Sequence, residues 1–305
     1  MRSARGLFWL QLGLGALGIA AAAFAAAVAA RSVDPALPTP AGLRTMCAGM
    51  LSGESALGWM IILVLAGIGI AVPLRAAHSV LRQLQATRRF LRTLPVTHTE
   101  PGSPRLVIVR DDRLLAFCCG HLRPRIYLST AAKELLGEAE LHAVLAHERH
   151  HAYRRDPLRM LIAQGLRDAV FFIPVLGRCQ LRFGALAELA ADEKAVAEAG
   201  VRPLASALAA FDAHGGPMTA VSGERVDHLL GARHGWQVSP AALLGGLWSV
   251  AGVAALAMVG AALLGPQQAT FVDLASAACG LLLIALPVLA VGLAAGALGT
   301  RRTVR

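Results

Sequence analysis

Charged residues are scarce in this 305-residue sequence, at 16% against roughly 25% in average soluble domains, while hydrophobic residues reach 56%. That balance excludes an ordinary water-soluble domain and a disordered chain, and points to a membrane. Lysine is nearly missing: Lys133 and Lys194 are the only two, so the net charge of +10 is almost wholly arginine. The arginines flank apolar segments, where anionic headgroups and the positive-inside rule select them, so direct nucleic-acid binding is disfavoured. The five cysteines (Cys47, Cys118, Cys119, Cys179, Cys279) lack zinc-ribbon spacing, and adjacent cysteines such as Cys118 and Cys119 rarely bridge. They read as small buried residues. No internal repeat is present.

What is abundant is long apolar runs. Gly6 to Ala30 follows Arg2 and Arg5 and is long enough to span a bilayer. The small residues before Arg31 would also suit a signal-peptide cleavage site, but the run exceeds a signal's apolar region, so a retained anchor is expected. The expected organisation is a first transmembrane helix over 1–30, an extracytoplasmic loop over 31–56, a second transmembrane helix over 57–77 and a cytoplasmic domain over 78–240. A transmembrane hairpin over 241–298 and a cytoplasmic tail over 299–305 complete it. Arg75, Arg82, Arg88, Arg89 and Arg92 after the second span, and Arg301, Arg302 and Arg305 at the end, place both regions in the cytoplasm. Val80 to Leu94 is amphipathic and lies either along the headgroups or on the protein body.

Within the central region, Pro95 to Pro104 reads as a linker, and Leu106–Val109 and Arg125–Leu128 as strands. A short helix starts at Ser129 or Thr130 and stops at Gly137. Helices follow over Glu138–Arg155, broken at Asp156-Pro157, then Leu158–Val175, Leu181–Ala199 and Glu224–Leu230. The fold class is α+β: a mostly helical integral-membrane protein with a zincin-like catalytic domain and a small β-sheet.

His147 and His151 stand one helical turn apart, so both imidazoles project from one face and can hold one zinc ion. Glu148 beside them is suited to take a proton from zinc-activated water and pass it to the leaving amine. Two histidines at this spacing also arise on ordinary helix surfaces. Here Leu141, Val144 and Leu145 make the rest of the helix apolar, placing the motif in a core where its polar groups need partners. Glu188 on a later helix supplies a third ligand, against the alternative of a solvated acidic face. Asp192, one turn on, is suited to orient a ligand imidazole. His150 projects at the wrong angle to be a ligand. Three protein ligands leave one position open, as in catalytic zinc sites, which favours an enzyme over a catalytically idle signalling or scaffold protein. Four spans with few internal charges argue against a transporter.

Ala116-Phe-Cys118, Leu122-Arg-Pro-Arg-Ile-Tyr-Leu-Ser129, His147-Glu-Arg-His-His151, Arg155-Asp-Pro-Leu158 and Glu188-Leu-Ala-Ala-Asp192 together resemble the membrane-embedded gluzincin metallopeptidases. The resemblance is closest to the BlaR/MecR-type signal-transducer peptidases, with similarity also to HtpX-type and CAAX prenyl proteases. It implies one Zn2+ per chain on His147, His151 and Glu188, with Glu148 as general base. It also implies that the strand region from Cys118 to Leu128 offers an edge to an extended peptide, with Cys118 as a candidate substrate-binding residue. Arg123 and Arg125 are suited to stabilise an oxyanion or bind a substrate carboxylate, with salt-bridging on the domain surface the expected use. The implied substrate is a protein or peptide, either a transcriptional repressor or a membrane protein, cleaved in signalling or regulated proteolysis. The sensor group often carries a large extracellular domain after its last span. The sequence ends at Arg305, so antibiotic sensing by such a domain is not expected.

Overall fold

The computed structural model describes residues 2–31, 56–100, 105–214, 222–232 and 235–264. The chain forms two compact units, one of Met1–Ala16 with Leu74–Leu247, the other of Leu17–Pro73 with Trp248–Arg305. Helix α1 spans Arg2–Arg31 and α2 spans Ala56–Thr93. Strands β1 (Val96–Thr99), β2 (Leu106–Val109), β3 (Ala116–Cys119) and β4 (Arg125–Ser129) follow. Then come α3 (Thr130–Leu135), α4 (Glu138–Arg154), α5 (Asp156–Ala169), α6 (Val175–Ala199), α7 (Val201–Ala213), α8 (Gly223–Leu229) and α9 (Pro240–Leu264).

The four strands form one sheet in the order β1-β2-β4-β3, with β2 and β4 parallel and the outer pairs antiparallel. One face sets Ile108, Ala116 and Leu128 against Leu136, Val144, Ala207 and Phe211. The other sets Val107, Val109 and Tyr127 against Leu91 of α2 and Leu94 just after it. A strand covered on both faces is apolar throughout, which is why β2 and β4 stand out in the sequence. Each large side chain so enclosed contributes about 1.5–3 kcal/mol. The segment expected as a linker contains β1 instead. Its residues Val-Thr-His-Thr are all exposed, so no alternation marks it as a strand. The expected strand region from Cys118 to Leu128 is a hairpin of β3 and β4. Gly120 turns it at φ 103, where an added Cβ would stand 3.0 Å from the Arg123 carbonyl oxygen.

Ser129 caps α3, its hydroxyl accepting from the Ala132 and Leu115 amides, both at 3.0 Å. At the start of α4 the Gly137 amide donates to Glu140 at 2.9 Å. Arg155 ends α4 in the left-handed region, φ 53 and ψ 43, and Pro157 begins α5 with the φ that a first turn requires. The expected helix to Val175 ends at Ala169, because Pro174 lacks an amide and biases Ile173 away from helical backbone. The following helix therefore begins at Val175 rather than Leu181. Helix α7 was not expected, although Leu204, Ala207, Leu208 and Phe211 fall at helical spacing and are all buried. The span expected over 57–77 and the amphipathic stretch after it are one 38-residue helix, α2, which runs through Pro73 without a break. At 1.5 Å per residue it is roughly 57 Å long, far more than a hydrocarbon core of about 30 Å.

Among the described residues three helices are long and apolar enough to cross a membrane: Ala4–Arg31, Met60–Thr93 and Pro240–Leu263. Inside the second unit small residues let them close up. A Cβ on Gly69 would stand 2.5 Å from that of Ala26, and one on Gly260 would stand 2.9 Å from Ile61. The first turns of α1 pack within the other unit, where buried Gln11 donates to the Ala163 carbonyl at 2.9 Å and Phe8 meets Phe183 at 5.3 Å. Most of the expected extracytoplasmic loop, the second limb of the hairpin and the tail lie outside the described residues.

Candidate active site

Helix α4 carries His147, Glu148 and His151, exposed by only 5%, 2% and 9%. The two Nε2 atoms face each other at 3.1 Å. Glu188, from α6, closes the third side: one carboxylate oxygen is 3.4 Å from His147 Nε2 and the other 3.5 Å from His151 Nε2. Ligands held tetrahedrally at about 2.0–2.1 Å stand roughly 3.3–3.4 Å apart, and two imidazoles and a carboxylate this close together could hold a metal ion. The remaining imidazole nitrogens fit as well. His147 Nδ1 is 2.9 Å from Asp192 Oδ1, and His151 Nδ1 is 2.9 Å from Asp156 Oδ2. A proton committed to Asp156 on the Nδ1 side of His151 leaves its Nε2 lone pair turned to the common centre. Among the described residues, His147, His151 and Glu188 are the one group of three or more His, Cys, Asp or Glu side chains so arranged.

The electrostatics follow from burial and these contacts. Burial alone would push the His147 pKa down, but the Asp192 and Glu188 carboxylates reverse this and raise it to about 10 without metal. Burial lifts Glu148 above the ordinary carboxylate range, opposed by the two histidines and by the nearby Cys118 amide. Glu188 and Asp192 move down in spite of burial, because the His147 ring stands against both, 3.4 Å from the first and 2.9 Å from the second.

Arg225, on α8, is a site residue with no mark in the sequence. Its Nε and Nη2 donate to the two oxygens of Asp192 at 2.7 and 2.6 Å, and Nη1 is 3.8 Å from Glu188. Asp192 is fully buried, so its charge depends on this guanidinium and on His147. No local pattern singles out one arginine 33 residues away; a buried aspartate that needs a cation is the sole hint. Asp156 was expected only as a helix break. Its place five residues after a ligand histidine, at a tight turn, is the signal that would have found it.

A cleft of about 300 Å³ opens on this centre, lined by His147, Glu148, His151, Glu188, Phe117 and Cys118 among others. Cys118 lines this cleft half-buried, its thiol pushed strongly up by burial. Arg123 and Arg125 do not line the cleft but a neighbouring pocket. His150 is buried and is not part of the metal-ligand group; burial drives its pKa down to about 4, and its ring lies 6.4 Å from that of His151. His214 contacts the Ala210 carbonyl and His228 contacts Glu193, both away from the centre.

A family model described as BlaR1 peptidase M56 matches residues 23–203, more than half of the sequence, including α4 and α6 with every residue of the His147, His151 and Glu188 triangle. With a membrane-helix framework, a small sheet and this buried histidine and carboxylate centre all present, the chain belongs to the BlaR1 peptidase M56 family.

Proposed function

We propose that this chain is an integral-membrane zinc metalloendopeptidase of the cell membrane. Its catalytic domain, over 78–240, faces the cytoplasm, and it cleaves a repressor or a membrane protein in signalling or regulated proteolysis. The observation that carries this reading is the inward-facing triangle of His147, His151 and Glu188 with Glu148 beside it on an open cleft. Zinc, when bound there, supplies Lewis acidity, acidifying a water and polarising the scissile carbonyl.

The protein's own part begins with Glu148. Its raised pKa suits a carboxylate that accepts a proton from water and returns it to the leaving amine nitrogen. The Cys118 amide, on the edge strand β3, faces that carboxylate. The edge itself can pair with an extended peptide backbone and lay a scissile bond across the cleft. Asp156 and Asp192 orient the imidazoles, and Arg225 keeps Asp192 ionised. The arginines at the ends of the spans support the cytoplasmic placement.

The test is metal dependence of cleavage by the purified full chain in detergent, with casein as the probe. Chelation is expected to abolish cleavage and zinc alone to restore it. Cleavage untouched by chelation would remove the reading, and zinc binding with no cleavage of any protein or peptide would favour the idle scaffold.

A further inference from the structure

Beside the cleft lies a second concavity, of about 600 Å³, lined by Arg105, Arg123, Arg125, Arg155, Ala152 and Tyr153 among others. We propose that this pocket binds an acidic side chain of the peptide substrate two to four residues from the cleaved bond, a proposal that rests on the peptidase reading above. Among the described residues the ion-paired arginines are Arg113, Arg149, Arg159, Arg167, Arg182 and Arg225. The four arginines of the pocket are not among them. Isolated surface arginines are commonly solvated and need no partner. Four around one concavity repel one another, and among the described residues no carboxylate lines it to offset them. An incoming carboxylate relieves that repulsion and matches the guanidinium fork.

Its location ties the pocket to catalysis. Strand β3 lines the cleft, and the turn directly after it, Leu122 to Pro124, lines the pocket. His151 borders the cleft and the next residue, Ala152, borders the pocket. From Glu148 to Arg155 is seven residues, roughly 10 Å along a helix, which an extended peptide covers in about three residues. The charges of the two cavities contrast. Glu148, Asp156 and Glu188 line the cleft and four arginines line the pocket, so an acidic residue is favoured one pocket away from the reacting centre.

The experiment uses the full chain in detergent, loaded with zinc, and a proteome-derived peptide library whose cleavage sites are read by mass spectrometry. Asp and Glu are expected to be enriched two to four residues to one side of the cleaved bond. In the double variant Arg123→Glu, Arg125→Glu that enrichment should turn into one for Lys and Arg, with unchanged zinc content. KM for an acidic peptide should rise on the order of tenfold, with a smaller change in kcat. Wild-type cleavage without acidic enrichment, or a double variant that slows acidic and lysine-matched peptides alike, would overturn the proposal.

Binding to the Glu148→Gln chain separates this inference from the peptidase reading. A fluorescent Asp/Glu hexapeptide should bind more tightly than its Lys counterpart, and lose that advantage when both arginines are reversed. If no peptide is cleaved but this binding is seen, the peptidase reading fails while the pocket's ligand class stands. Phosphatidylglycerol vesicles that bind through these arginines while the acidic peptide does not would overturn the proposal in favour of a lipid surface.

Discussion

His151 and Asp156 stand on either side of the α4–α5 break, with 2.9 Å between the imidazole Nδ1 and a carboxylate oxygen. The left-handed Arg155 turns the chain so that the aspartate points back at the helix just ended. Both partners are buried. Removing the negative charge while keeping the shape, by Asp156→Asn, should therefore weaken zinc binding by roughly 10–100-fold with little loss of fold. Competition with a zinc-binding dye measures this, and an unchanged affinity would show that Asp156 only shapes the turn.

The Asp192–Arg225 pair calls for a different outcome. Arg225→Met leaves a carboxylate with no solvent exposure to face His147 alone, and should destabilise the protein by about 3–5 kcal/mol. In the double variant Arg225→Met, Asp192→Asn most of that loss should return, because no ionised group stays buried without its partner. Equal melting temperatures for wild type and Arg225→Met would contradict the pairing.

Glu188 and Asp192 share a face of α6, yet only Glu188 reaches both Nε2 atoms, while Asp192 meets Nδ1. Glu188→Ala should lose most bound zinc, and Asp192→Ala should bind it roughly 10–100-fold more weakly. Metal analysis of the purified variants decides this. The reverse ranking would exchange the two roles.

The metal-free protein should show a distinctive pH dependence. The folded-state pKa of His147 is raised to about 10, above the roughly 6.5 of an unfolded histidine. Its contribution is complete below about pH 6.5 and is lost as the pH rises towards 10. Melting temperatures of metal-free protein should fall across that window, and His147→Gln should remove most of this slope. Zinc requires neutral imidazole, so loading at pH 8 should release protons, readable by calorimetry in two buffers of different ionisation heat. A flat profile with no proton release would contradict the account of His147.

How legible these features were depended on the distance over which each signal acts. His147 and His151 are one turn apart, as are Glu188 and Asp192, so helical periodicity alone aligns each pair. Strands β2 and β4 betrayed themselves because both faces are covered. Strand β1 did not, since its exposed polar residues obey no burial pattern and its place comes from pairing with β2. The start of α6 at Val175 was hidden by an apolar stretch that continues through the Pro174 break. Arg225 and the basic pocket are tertiary facts. The first joins residues 33 apart, and the second gathers arginines from the start of β2, the β3–β4 turn and the end of α4.

The central claim is that Glu148 moves protons beside a metal it does not hold. Its carboxylate faces the Cys118 amide and lies outside the triangle of His147, His151 and Glu188. The measurement is zinc content and casein cleavage, side by side, for wild type and Glu148→Gln. The expected result is near-equal zinc with cleavage reduced by at least about 100-fold in the variant. Equal cleavage by both forms would contradict the account, as would loss of zinc from Glu148→Gln.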